Sequence, residues 1–367
     1  MTNTLRPRPL LVATVIMLAM HALIWAWAFN FEPTVYPWPQ DAPTRFQYWD
    51  AWHYNAIIKE GYSGVRWAFY PLYPLVVKVL SVITGLRARP EIAGTIFSTL
   101  SFAAFCLLQA RMARSPDEKH TLLRPETIWG WLFFLFSPAS WVFHSHHTES
   151  LFLILSFGAF LSARDGRWKT AAALAGLCSL TRNQGMFLAV AIACESARGG
   201  ESWRRKVLVF GGSGIISLLF FACYPAFQYW KTGDALKFVY IQREWGVVQS
   251  FYNYIGTFWY VNPWQHAGWK SYLHETFFFV MNGTAIGLLL KREFPFALYM
   301  LLSLWASLYL GHVENAYRYG AVLFPALFLL GDSVRRLPLP LRCLFFGGFL
   351  TLNILYTYYY GTGHWAY

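Results

Sequence analysis

Apolar runs about twenty residues long recur from one end of the chain to the other, and they limit the fold more than any other feature. A helix needs about 20 consecutive apolar residues to cross the hydrocarbon core of a bilayer. Only 13% of the 367 residues are charged, whereas a soluble domain carries about 25%. An outer-membrane barrel would instead show alternating segments of about ten residues. The sequence therefore predicts an all-α polytopic membrane protein.

The positions of the basic residues set the predicted topology. The formal net charge is +12, but Lys and Arg fall in short clusters between the apolar runs and form no basic face, which excludes a nucleic-acid-binding protein. Such clusters mark cytoplasmic loops. The run 69–86 is ambiguous, because it either crosses the membrane or lies in its interface. If this run lies in the interface, every later basic cluster falls on the cytoplasmic side. We therefore predict that it lies in the interface.

This topology gives about eleven transmembrane helices in one membrane domain, residues 1–367. The first resembles a cleavable signal, but its length favours a retained helix. Two long loops, 30–89 and 228–271, are expected on the outer face. The runs 170–181 and 184–194 are too short to span alone, so the LTRNQG break between them is expected to line a polar cavity. The predicted spans are 10–29, 90–110, 126–144, 150–163, 170–181, 184–194, 207–227, 272–290, 294–310, 321–330 and 343–360.

An aromatic stretch, residues 46–74, surrounds the carboxylate of Asp50 with Trp, Tyr and Phe. Aromatic rings with polar edges favour the membrane–water boundary. The low dielectric there strengthens the hydrogen bonds of a carboxylate, which suits a general base. Asp is also a favoured N-cap, so the alternative is a cap for a short helix that we expect to end at Gly61. The residues leave both interpretations open.

Two arginines are candidate anion ligands. Arg182 interrupts an apolar run, and an arginine at membrane depth needs a partner, either a buried acid or an anionic ligand. We favour a phosphate. Arg318 is the second candidate, and its alternative is a salt bridge to Glu314 four residues earlier.

A dense polar cluster contains His144, His146, His147 and Glu149. Its spacing differs from the HExxH and HxxxH patterns of helical zinc sites, so we expect no metal site. Glu149 is interpreted as a carboxylate of an outer cavity, with an interfacial helix cap as the alternative.

One family resemblance extends over most of the chain. WDAWHYNAIIKEGY followed by WAFYPLYPL resembles the first outer loop of the PIG-V family of mannosyltransferases, the GPI mannosyltransferase 2 type. Four further blocks agree in order and rough spacing: SPASWVFHSHHTESLFLILSFGAF, LAGLCSLTRNQG, WKTGDALKF and NAYRYGAVLFPALFLL. The resemblance implies a GT-C-type glycosyltransferase fold with interfacial helices in the first outer loop, here in a prokaryotic homologue. Eukaryotic members typically read Arg-Trp-Asp where this chain has Tyr48–Trp49–Asp50, so a donor contact is expected elsewhere, with Arg45 as the candidate.

The resemblance also implies an activity. The chain would transfer mannose from a polyprenyl-phosphate-mannose donor to a glycolipid or glycan acceptor, with inversion, at the outer face of the inner (plasma) membrane. Asp50 would act as base, and Arg182 and Arg318 would bind the departing phosphate. No cofactor and no metal are expected, since no DxD pair accompanies Asp50. Further substrate contacts are assigned to Arg45, Tyr48, Trp49, His53, Tyr70, His146, His147, Glu149, Asn183, Gln184, Glu314 and Tyr317.

The expected partners are the lipid-linked donor, the acceptor and membrane lipids, with no nucleic acid. A further membrane subunit is left open. The alternative function is a flippase or transporter for a lipid-linked sugar, because broken helices also mark transporter binding sites.

Overall fold

The structure, a computed structural model, describes residues 5–31, 47–114, 116–199, 202–245, 269–307, 315–364 and 366. These residues form helices and irregular segments without a named β-strand. Short 3₁₀ helices occur at Gly64–Ala68, Glu118–His120, Ser140–His144 and Ile241–Trp245. The α-helices are α1 (Pro7–Ala28), α2 (Asp50–Glu60), α3 (Leu72–Ile83), α4 (Pro90–Arg114), α5 (Ile128–Leu135), α6 (Glu149–Arg164), α7 (Trp168–Ser179), α8 (Gln184–Arg198), α9 (Trp203–Thr232), α10 (Lys237–Tyr240), α11 (Trp269–Leu290), α12 (Phe294–Ser307), α13 (Ala316–Ala321), α14 (Phe324–Val334) and α15 (Leu339–Gly361).

Five helices in the described part of the chain are long and apolar enough to cross a membrane: α1, α4, α9, α11 and α15. Much of their surface is apolar and exposed, as expected for helices that face lipid. The prediction of an all-α polytopic membrane protein is confirmed. Helix α3 has only 12 residues and is about 18 Å long, which agrees with a segment that does not span alone. The count of eleven spans stays a prediction.

The predicted span over 126–144 is not one continuous helix, because α5 and a separate 3₁₀ helix occupy it. Helix α5 ends at Leu135, and the 3₁₀ helix begins at Ser140. Pro138 lies between them, and proline lacks an N–H donor and disfavours helical backbone in the residue before it. Apolar character alone does not report this interruption.

The chain forms two compact units. The first comprises Met1–Asn55, Val76–Ile154 and Ala321–Tyr367. In it, α1 packs on α4 and α15, and α5 packs on α14. Asp332 near the end of α14 accepts hydrogen bonds from the backbone N–H groups of Glu126 and Thr127, at 2.8 and 2.9 Å. The bond from Thr127, the N-cap of α5, satisfies one of the N–H groups that a helix start leaves unpaired.

A buried chain of polar side chains links α1 and α15 in the same unit. Asn353 donates from Nδ2 to the carbonyl oxygen of Ser137 and to Oγ of Ser140, both at 2.8 Å. Its Oδ1 therefore accepts from Nε2 of His21, at 2.7 Å. Nδ1 of His21 then accepts from Nε2 of His144, at 2.9 Å. For neutral imidazoles, this sequence of bonds assigns the Nε2–H tautomer to both rings.

The second unit comprises Ala56–Leu75 and Leu155–Gly320. Helices α7, α8 and α9 pack on one another, and α8 also packs on α12. Arg164 at the end of α6 pairs with Glu195 at 3.1 Å and with Glu293 at 2.7 Å. Arg198 pairs with the same two carboxylates, at 3.2 and 2.8 Å. This ion-pair network fastens the ends of α6 and α8 to the α11–α12 connection.

Candidate active site

Asp50 is the first residue of α2 and is half-buried. The residue before it, Trp49, has φ 58°, a left-handed backbone that bulky side chains rarely adopt. Such strained positions concentrate at functional sites. A carboxylate in the first helical turn is stabilised by the helix dipole. Asp50 thus strengthens the start of α2 whatever its chemistry, so its structural and catalytic interpretations do not exclude each other.

The two residues before Asp50 are anchored at the end of α15. Trp49 donates from Nε1 to the carbonyl oxygen of His364, at 3.3 Å. Tyr48 is buried, and its ring meets the ring of Tyr360 edge-on with 6.0 Å between centroids. Asp50 therefore follows a segment that is held by the backbone of His364 and the ring of Tyr360, both more than 300 residues away.

The next turn of α2 contacts the start of α4. Asn55 donates from Nδ2 to Oε2 of Glu91, at 3.1 Å. Glu91 is only 1% exposed and lies in the first turn of α4, where the helix dipole favours its charge. His53 is half-buried, with its ring 4.9 Å from that of Trp52. As predicted, α2 ends at Glu60 and Gly61 follows with φ 92°, a conformation that favours glycine.

The segment Ser145–Glu149 is buried against α4. His146 fits there because position 94 is glycine; a Cβ at Gly94 would overlap Nδ1 of His146. The backbone carbonyl of His147 accepts from Oγ of Ser98, at 3.0 Å. The ring of His146 also lies 5.9 Å from that of Tyr54 on α2. Burial, aided by the neighbouring His147, lowers the pKa of His146 to about 3, so this imidazole is neutral at physiological pH.

The other members of the predicted polar cluster, His147, Glu149 and His144, each have different contacts. His147 contacts Oγ of Ser145 at 2.8 Å through Nδ1, and its ring lies 5.5 Å from that of Tyr360. Glu149 is fully buried in the first turn of α6, and Oε2 accepts from Thr148. His144 instead stacks on His21, with 4.8 Å between ring centroids. Within the described ranges, no group of three or more His, Cys, Asp and Glu side chains is arranged to hold a metal ion.

In the second unit, the LTRNQG break is a compact turn between α7 and α8. Thr181 donates from Oγ1 to the carbonyl oxygen of Cys178, at 2.6 Å, and so bonds back onto α7. Asn183 is the N-cap of α8, and its Oδ1 accepts from the backbone N–H of Gln184, at 2.9 Å. A Cβ at Gly185 would overlap backbone atoms of Cys178. The turn can close only because position 185 has no side chain.

This turn places Arg182 in a set of defined contacts. The side chain is buried, with 7% of the residue exposed. Nε donates to Oε1 of Gln184 at 3.1 Å, and the guanidinium carbon lies 5.4 Å from the ring centroid of Tyr319. The predicted neighbours Asn183 and Gln184 also bond to Tyr319. Sequence reasoning missed Tyr319, although it directly follows Arg318 in the NAYRYG block.

Tyr70 lies in the same unit, just before α3. It belongs to a core with Tyr224 and Phe238, against which Leu180 of the break packs. The backbone N–H of Leu72 donates to the carbonyl oxygen of Leu180, at 2.9 Å. Burial raises the pKa of Tyr70, and Tyr319 adds to the shift. The end of the aromatic stretch is therefore connected directly to the α7–α8 break.

The other predicted site residues divide into two groups. Arg318 and Tyr317 are both buried on α13, and the ring of Tyr317 lies 4.1 Å from that of His274. Arg45 and Glu314 lie outside the described residues, so the Glu314–Arg318 salt bridge stays a prediction.

The fold and these sites define a class of protein: a multi-pass α-helical membrane protein in which Glu91 and Glu149 are buried at helix starts and Arg182 is buried at a helix break. The family model described as Mannosyltransferase (PIG-V) matches residues 42–262, which is more than half of the chain. The chain belongs to the PIG-V mannosyltransferase family and is a membrane glycosyltransferase. The match includes α2, the Ser145–Glu149 segment and the LTRNQG break. No curated protein and no solved structure matches the chain.

Proposed function

We propose that the protein transfers mannose from polyprenyl-phosphate-mannose to a hydroxyl of a glycolipid or glycan acceptor at the outer face of the plasma membrane, with inversion. The acceptor oxygen attacks the anomeric carbon while the bond from that carbon to the phosphate oxygen breaks. The phosphate leaves with the bonding electron pair as polyprenyl phosphate. The proton of the acceptor hydroxyl goes to the carboxylate of Asp50.

The observation that carries the assignment of Asp50 is its place at the start of α2, directly after the left-handed Trp49. Trp49 is anchored to His364, and Asn55 further along the helix is anchored to Glu91. A general base must be held in reach of one particular proton. The anchors on both sides of Asp50 support that restraint, and the family membership of the chain supports transfer of a mannosyl group.

The second part of the proposal concerns charge that develops on the phosphate. Arg182 is buried at a helix break and is oriented by Gln184 and Tyr319. Fixed cations in a dry site act most strongly where charge develops in the transition state. We assign Arg182, with Arg318 as a second cation, to the phosphate of the donor. A single phosphate leaving group is matched by cationic side chains, so the proposed reaction uses no metal ion.

The test is sugar transfer by the purified protein in liposomes, with labelled polyprenyl-phosphate-mannose as donor. Lipid extract from a strain that lacks the protein supplies the acceptor. The test variant is Asp50→Asn, and the matched control is Glu60→Gln at the opposite end of the same helix. We expect Asp50→Asn to lose about 10²- to 10⁴-fold in rate, the usual contribution of a general base. Glu60 is exposed and pairs with Arg66, so its replacement should leave the rate within about twofold.

Two results would contradict the proposal. Transfer that survives in Asp50→Asn would assign the base elsewhere, with the buried Glu149 as the next candidate. Movement of labelled lipid across the bilayer without transfer to any acceptor would favour the flippase. Chelator should leave the rate unchanged, and the anomeric configuration of the product reports inversion.

A further inference from the structure

We infer that Tyr319 is a positioning residue for Arg182 and thereby sets the affinity of this site for the phosphate group of a lipid phosphate. The inference rests on the proposed function, in which Arg182 binds the phosphate of the donor. Its basis is a set of contacts within the second unit, between the α7–α8 break and helix α13.

Three consecutive residues of the break each contact a different part of Tyr319. The guanidinium carbon of Arg182 lies 5.4 Å from the centroid of the ring. Asn183 donates from Nδ2 to the hydroxyl oxygen at 3.1 Å, and that hydroxyl lies 3.3 Å from Oδ1 of Asn183. Gln184 donates from Nε2 to the backbone carbonyl of Tyr319, at 3.2 Å. One residue of α13 therefore contacts three consecutive residues of the break.

Gln184 connects Tyr319 to the cation directly. Its Nε2 donates to the carbonyl of Tyr319, so its Oε1 is the amide atom that accepts from Nε of Arg182, at 3.1 Å. The bond at Nε fixes the plane of the guanidinium, and the ring of Tyr319 restrains that group from one face. These two contacts restrain the guanidinium as a whole, and with it the Nη groups that the proposed function assigns to the phosphate.

This restraint matters because an arginine side chain has many rotamers. If the side chain becomes ordered only when the ligand binds, the loss of rotamer entropy lowers the affinity. A side chain that is already ordered in the free protein does not lose this entropy on binding. A fixed fork of N–H donors also suits the oxygens of a phosphate group. Tyr319 itself need not touch the phosphate, and we assign it no catalytic role.

The test measures binding of polyprenyl phosphate, the lipid product without sugar, to the full-length protein in detergent micelles. The variants are Tyr319→Phe, which keeps the ring and loses the hydroxyl, and Tyr319→Leu, which loses both. We expect a loss of about tenfold in affinity for Tyr319→Leu and less than about threefold for Tyr319→Phe, since a partly buried cation–π contact is worth about one factor of ten. Tyr229→Leu is the control, because Tyr229 is 64% exposed on α9.

A double-mutant cycle separates positioning from a structural role. Arg182→Lys keeps a positive charge but removes the guanidinium that the ring of Tyr319 and the amide of Gln184 restrain, so Tyr319→Leu in this background should change the affinity by less than about twofold. Equal losses in both backgrounds would overturn the inference, because Tyr319 would then act independently of Arg182. If Tyr319→Leu does not fold, Gln184→Met removes, at similar volume, the amide that links Nε of Arg182 to the backbone carbonyl of Tyr319, and it should also give a loss of about tenfold.

The failure of the proposed function has a different signature. Wild-type affinity of Arg182→Gln for polyprenyl phosphate would show that Arg182 does not bind the phosphate. That result would overturn both proposals. Loss of affinity in Arg182→Gln together with wild-type affinity in Tyr319→Leu and Gln184→Met would overturn this inference alone. With labelled donor, the expected effect of Tyr319→Leu includes a raised KM for the lipid donor.

Discussion

Adding one methyl group at Gly185 tests whether the α7–α8 break positions Arg182. In Gly185→Ala, the new Cβ would overlap the carbonyl carbon of Cys178 and the amide nitrogen of Ser179. Both atoms belong to the backbone of α7, so no side-chain rotation can relieve the overlap. The two helices must instead move apart at the turn that contains Arg182.

The size of the effect follows from that geometry. The chain must separate by about 1 Å before the methyl group reaches ordinary van der Waals contact near 3.4 Å. Overpacking of a well-packed interior lowers the free energy of unfolding by about 1–3 kcal/mol, and backbone overlap belongs at the upper end. A displacement of about 1 Å in a positioning group reduces turnover by about 100-fold. We expect both losses in Gly185→Ala.

The assay combines thermal unfolding in detergent with sugar transfer in liposomes. Gly199→Ala is the matched control, because Gly199 caps the other end of α8 and no atom lies within 4 Å of its Cβ position. Its φ of −78° also suits alanine. Wild-type stability and wild-type transfer in Gly185→Ala would refute the close approach of α7 and α8. Lower stability with unchanged transfer would refute the inference that the geometry of this turn controls transfer through the position of Arg182.

Two further predictions concern stability. Arg164→Met should lower the free energy of unfolding by about 3–5 kcal/mol, because the Arg164 side chain is 6% exposed and its loss leaves only Arg198, among the described residues, to balance the carboxylates of Glu195 and Glu293. Arg198→Met should lower it by less than about 1 kcal/mol, since Arg198 is 43% exposed; equal losses in a detergent unfolding titration would contradict the ion-pair assignment. Burial lowers the pKa of His146 from 6.5 to about 3, so the unfolded chain takes up the proton first and stability falls as the pH decreases from 6.5 toward 3. Between pH 7.5 and pH 5, His146→Asn should remove about 2 kcal/mol of this decrease, and an unchanged pH dependence would show that the imidazole titrates normally.

Local sequence patterns predicted the features whose causes are local. The apolar runs predicted the helical membrane fold, and a glycine stop signal placed the end of α2 at Gly61. The interrupted apolar run predicted the break around Arg182. The same reasoning failed over 126–144, where hydropathy hides the break at Pro138.

The features that sequence reasoning missed depend on contacts between distant parts of the chain. Tyr319 contacts Asn183 across 136 positions, and no periodicity reports such a pairing. Glu91 resembles an ordinary acidic residue at a helix start, and only the structure shows it buried against Asn55. Tyr360 stands in an aromatic run at the end of a span, where a membrane-interface role is the usual interpretation. Its contacts with Tyr48 and His147 appear only when α15 is folded.

The candidate catalytic groups share one structural property, which is that they lie where regular helix begins or stops. Asp50 opens α2 after the left-handed Trp49, and Arg182 occupies the turn between α7 and α8. A charged side chain in the middle of a lipid-facing helix finds saturated backbone groups and apolar neighbours, and its burial is costly. At a helix end, unpaired N–H and C=O groups and the helix dipole offset part of that cost. A buried catalytic charge therefore destabilises the membrane fold least when it lies at a helix end. Substitutions of similar volume in the exposed faces of α9 and α15 should therefore be tolerated, whereas a single methyl group at Gly185 should not.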